Sequence, residues 1–142
     1  MVASEERTVR MQQIFEKMIA LATASYPLID DLAVSPSPGE RLAAVAILQV
    51  FASEDYLPFL VQLVASEKPF VGYHAVTALR FAVEALDPRS YPRLREAMRD
   101  AEAALDATQV MADSDRRAVL RFAQEALQAT IASLSVPPSG SD

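Results

Sequence analysis

Few side chains in this sequence are of a type that does chemistry, and their spacing does not bring them together. His74 is the only imidazole and there is no cysteine. A hydrolytic triad needs a nucleophile, a base and an orienting group, so one candidate base is all the chain can offer. Without cysteine there is no disulfide and no thiolate-held metal, and one histidine leaves a zinc site short of ligands. No metal or cofactor is expected. Asp30 and Asp31 are adjacent carboxylates, yet successive residues of a helix do not face a common point, which makes a solvated edge of them rather than an acid/base pair. The three glycines stand apart at positions 39, 72 and 140, so no Gly-rich loop can cradle a phosphate. The expectation is a protein that is not an enzyme.

Charge narrows the partners. The net charge is −6 over 142 residues, and no segment is strongly basic. Nucleic-acid binding draws on the neutralisation of phosphates, and an acidic chain with no basic block is unsuited to it. The richest basic stretch, Arg89, Arg93, Arg95 and Arg99, is interleaved with Glu96, Asp100 and Glu102, which reads as a self-paired, solvated helix face. Two uncharged runs rich in apolar residues, 18–29 and 42–53, are a dozen residues each, against roughly 20 for a bilayer helix, so no membrane span is expected. The first seven residues lack a basic region followed by an apolar one, which is no secretory signal. A cysteine-free chain suits a reducing compartment, and a cytoplasmic setting is expected.

The elements that hold these residues are used twice. Tyr26 to Leu48 and Leu57 to Leu79 align at a constant offset of 31, with Pro27 on Pro58, Leu32 on Leu63, Pro38 on Pro69, Ala44 on Ala75, Val45 on Val76 and Leu48 on Leu79. A period of this length signals a helical repeat. Each copy reads as a short helix opened near a proline, a Ser/Pro turn, and a second helix. Ahead of them Glu5 to Ala24 reads as a helix with Met11, Ile14, Phe15, Met18, Leu21 and Ala22 inward. Ser25 is placed to cap the next helix, and Ser90-Tyr91-Pro92 repeats that signal. Ser37 and Glu40 form a capping box around Pro38. The helix after Pro69 turns Val71, Ala75, Ala78, Leu79, Ala82 and Leu86 inward. Beyond Pro92 no Ser/Pro turn stands near 100–103, so that helix runs on with Leu94, Met98, Ala101, Leu105 and Val110 inward. Asp113 to Asp115 offers the next cap, and a last helix over 115–133 carries Val119, Phe122, Ala123, Ala126, Leu127, Thr130 and Ile131 as its stripe. The last two helices make the atypical hairpin that closes a repeat array. Residues 1–134 are expected to be a single domain and 135–142 a disordered tail or linker.

Pro69-Phe70-Val71-Gly72-Tyr73-His74-Ala75-Val76-Thr77-Ala78-Leu79, preceded by Leu57 to Leu63, resembles a HEAT-type (armadillo-like) repeat. Pro38, Arg41, Ala44 and Leu48 match that pattern in the first copy, where Glu40 stands in place of the usual Val. In the second copy Val71 matches and Gly72 replaces the Arg. The resemblance covers Tyr26 to Leu86. It implies an all-α, HEAT-like right-handed α-α superhelix, a stack of about seven antiparallel helices. It also implies a scaffold or adaptor for protein–protein contact, non-catalytic, alone or as part of a larger protein, with a protein partner of unknown identity and an open oligomeric state. The alternative it leaves open is an accessory subunit or enzyme of HEAT-like lyase type.

A difference between the copies marks the candidate site. Gly39, Glu40 and Leu42 become Phe70, Val71 and Tyr73, which sets aromatics at the mouth of a helix. Phe70 and Tyr73, with Lys68 and His74 at the edge, are the candidate partner-binding residues. The competing reading is that a neighbouring helix covers both rings as ordinary core.

Overall fold

The computed structural model describes residues 2–66, 68–108 and 114–135. All the regular structure in them is helical: α1 (Val2–Ala20), α2 (Ala22–Ser25), α3 (Ile29–Ala33), α4 (Pro38–Val50), α5 (Leu57–Ser66), α6 (Pro69–Ala85), α7 (Tyr91–Ala107) and α8 (Ser114–Ser135). Short 3-10 turns lead into α3, α5 and α7. Leu21 interrupts α1 and α2 without breaking the hydrogen-bond ladder, since its N–H reaches the Lys17 carbonyl at 3.0 Å and its carbonyl accepts the Ser25 N–H at 2.9 Å. Counting those two as one bent helix leaves seven.

The chain divides into two compact units, Met1–Phe51 and Ala52–Asp142. In the first, α1, α2 and α3 pack on α4. Phe15, Ala22 and Ile29 point inward from them, while Ala44 to Leu48 are all buried on α4. Ile14 and Leu21, expected inward, are exposed instead. They sit one residue off the row 15, 22, 29, and a single covering helix shields only a narrow stripe.

The start of α4 follows the sequence rules, with one change of partner. Ser37 is extended at φ −82° and ψ 123°, its hydroxyl accepts the Glu40 N–H at 3.4 Å, and Pro38 fills the first helical position. The return arm of the capping box is missing. Glu40 accepts instead from the Ser35 hydroxyl at 3.3 Å, and that same oxygen accepts the Ser37 N–H at 3.0 Å. Ser25 and Ser90 are not caps: both have helical backbone angles and make no side-chain cap bond, because the chain passes through them as a continuing helical turn. The cap before α7 is Asp87, whose carboxylate accepts the Arg89 N–H at 2.9 Å.

In the second unit α5 pairs with α6 and α7 with α8, while α5 lies against α7 and α6 against α8. The inner stripe of α6 is as expected except for Leu86, which is half-buried beyond the helix end, and α7 buries Leu94, Met98, Ala101 and Leu105. Tyr91 opens α7 and donates its hydroxyl to the Val83 carbonyl at 3.1 Å, satisfying an acceptor in the last turn of α6. The buried row of α8 is Arg116, Leu120, Ala123 and Leu127; Phe122, expected inward, is 57% exposed. As expected, α7 continues through 100–103. The cap at Asp113, the inward Val110 and the tail beyond Ser135 lie outside the described residues.

Candidate functional site

The four candidate residues lie at the start of α6, Lys68 just before it and the others in its first turns, and they reach different depths. Lys68 precedes Pro69 with extended backbone and is exposed. Phe70 is half-buried, Tyr73 is 39% exposed and His74 only 7%. The imidazole meets both rings edge-on, at 4.6 Å from Phe70 and 5.3 Å from Tyr73 between centroids. Burial lowers its pKa from 6.5 to about 4, because the imidazolium loses more hydration than the neutral ring. His74 is therefore a neutral part of an aromatic cluster at pH 7.

From Tyr73 an exposed stripe continues along α6. Thr77 bonds back to the Tyr73 carbonyl at 3.0 Å, and Phe81, two turns beyond Tyr73, is 43% exposed. Arg80 pairs with Glu84 at 3.2 Å and places its guanidinium 5.0 Å from the ring centroid of Phe122 on α8. Three partly exposed aromatics, Tyr73, Phe81 and Phe122, thus sit on two neighbouring helices. Of these three, only Tyr73 is a candidate from the sequence. The 73, 77, 81 spacing was the available signal for Phe81, while Phe122 lies one residue from the core row of α8 and reads as core.

A family profile described as HEAT repeats matches residues 26–112, more than half of the chain. The chain belongs to the HEAT repeat family. Comparison with curated proteins and with solved structures returns no match. In HEAT terms α3 with α4, and α5 with α6, are two repeats 31 residues apart in sequence, and the match runs on through α7.

The two repeats solve one local problem differently. In the first, Arg41 donates to the Ser35 carbonyl at 2.9 Å, just beyond the end of α3. In the second the equivalent position is Gly72, and the guanidinium comes from elsewhere. Arg116 of α8, 3% exposed, crosses Gly72 and donates to the Val64 carbonyl in the last turn of α5. A Cβ on Gly72 would lie 2.6 Å from Arg116 Nη1 and 2.7 Å from the Val64 oxygen. The buried cation is placed where the negative end of the α5 dipole favours it.

The basic stretch from Arg89 to Arg99 does not pair as expected. Arg89 joins Asp87 at 3.1 Å and Arg93 reaches Glu54 at 3.6 Å, while Glu102 accepts from Gln124 at 3.3 Å. The Asp87 carboxyl is held below its usual pKa by the Arg89 backbone N–H and then by its side chain. Among the described residues no group of three or more His, Cys, Asp or Glu could hold a metal ion, and no helix is long and apolar enough to cross a membrane.

Proposed function

We propose that this chain is a cytoplasmic, non-catalytic interaction module that contacts a protein partner through the α6/α8 face. The observation that supports the reading is the row of partly exposed aromatics, Tyr73, Phe81 and Phe122, edged by Arg80, Glu84 and Lys68. Large rings with a polar rim are the usual make-up of a protein-binding hot spot. Lys68 and Tyr73 meet the partner directly in this reading. Phe70 and His74 act from beneath, by fixing the Tyr73 ring edge-on.

The test is the double change Tyr73→Ser with Phe81→Ser, followed by thermal denaturation and a pull-down from native cells. The melting temperature is expected to stay within a few degrees, since exposed substitutions cost little, while partner capture is lost. Retained capture, or a collapse of the fold, would overturn the assignment of these rings to a contact surface.

A further inference from the structure

Four arginines of the second unit have a carboxylate: Arg80 with Glu84, Arg89 with Asp87, Arg93 with Glu54, and Arg117 with Asp106 at 2.6 Å. Arg95, Arg99 and Arg121 are different. None of the three is hydrogen-bonded or ion-paired to another described residue, and all three line one groove of about 480 Å³ between α7 and α8. Its only carboxylate is Glu125. Three cations against one carboxylate leave the groove net positive, and the low-dielectric walls of a groove focus that field.

The layout of the donors selects the kind of anion. Arg95 and Arg99 are one turn apart on α7, while Arg121, Gln124 and Gln128 extend over two turns of α8. At 1.5 Å per residue the donors on the α8 wall are strung over roughly 10 Å. Met98 and Leu127, both buried, form an apolar floor between the walls. A lone phosphate or carboxylate can use only one end of such a row. A chain segment with carboxylates at successive positions can use all of it, each guanidinium offering a planar fork that fits a carboxylate.

We propose that the α7/α8 groove is a second docking site, for an acidic, carboxylate-bearing segment of a partner protein. It does not depend on the aromatic α6/α8 face, and neither reading fails with the other. The experiment is fluorescence anisotropy with a labelled twelve-residue peptide of alternating Glu and Ala, a Gln/Ala peptide as neutral control, and tripolyphosphate and a single-stranded thymidine dodecamer as competitors. The Glu/Ala peptide is expected to bind at least tenfold more tightly than the control. Arg95→Gln with Arg121→Gln should remove at least tenfold, while Arg89→Gln, the same kind of charge change outside the groove, should alter binding less than twofold. Circular dichroism on each variant confirms that the helices persist. Equal weakening by Arg89→Gln would reduce the effect to bulk charge. Tighter binding of the polyphosphate or the oligonucleotide would assign the groove to phosphates, and absence of peptide binding would end the proposal. Self-association in sizing runs that competes with the peptide would give the groove to a second copy of the chain.

Discussion

His74 carries the most direct pH dependence in the fold. Its folded pKa of about 4 lies below the ordinary 6.5, so burial favours the neutral ring. Above pH 6.5 both folded and unfolded chains hold it neutral, and stability from this group is complete. As pH falls from 6.5 toward 4 the unfolded chain takes up a proton that the folded one refuses, and stability drops, by up to about 3 kcal/mol when both forms are protonated. His74→Phe keeps an aromatic ring and removes the proton. Urea denaturation at pH 7.5 and 4.5 should show the wild type losing about 2 kcal/mol more than this variant between the two conditions. Equal losses would show that the imidazole is hydrated in the folded protein. At Ala75, fully buried on the same helix, Ala75→Leu should overpack the contact and cost about 1–3 kcal/mol, read as a lower denaturation midpoint.

At the scale of elements, Gly72 and Arg116 behave as one device joining α5, α6 and α8. Gly72→Ala sets a methyl against the Val64 oxygen and the guanidinium together, and should cost about 1–3 kcal/mol. Arg116→Met leaves the Val64 carbonyl without its donor, at a similar cost of about 1–3 kcal/mol. Because Arg116 is one of the two groups that a Cβ at 72 meets, the double variant should lose less than the sum of the singles, by at least about 0.5 kcal/mol. Strict additivity in chemical denaturation would contradict the contact. The sequence carried half of this device. The offset of 31 aligned Gly72 with Arg41 and so marked a missing guanidinium, but its replacement lies 44 residues away and no local period points to it. Local rules did set the starts of α4 and α6 and the inner rows of α6 and α7, because proline positions and 3.6-residue spacing act within a few residues. They misplaced the row of α8, where Arg116 is buried and Phe122 is not. That inversion follows from partners on other helices, the Val64 carbonyl for one and the Arg80 guanidinium for the other. The candidate site was legible to the same extent: Tyr73 stood out as a difference between copies, whereas Phe81 and Phe122 gain meaning only once α6 and α8 lie side by side.

For the whole molecule, the net charge of −6 is the ground on which protein partners are proposed over nucleic acid. A duplex oligonucleotide should show no shift in gel mobility with the protein at 0.15 M salt, and a salt-sensitive shift would place phosphates among its ligands. Membership of the HEAT repeat family fits a chain built from paired helices. The central claim, that the α6/α8 face meets a partner, is tested most directly by site-specific photocrosslinking in native cells. Benzoylphenylalanine at position 81 should yield one adduct of defined mass, and the same probe at position 89, on the exposed turn before α7, should yield none. Absence of an adduct at 81, or the same adduct at both positions, would contradict the account.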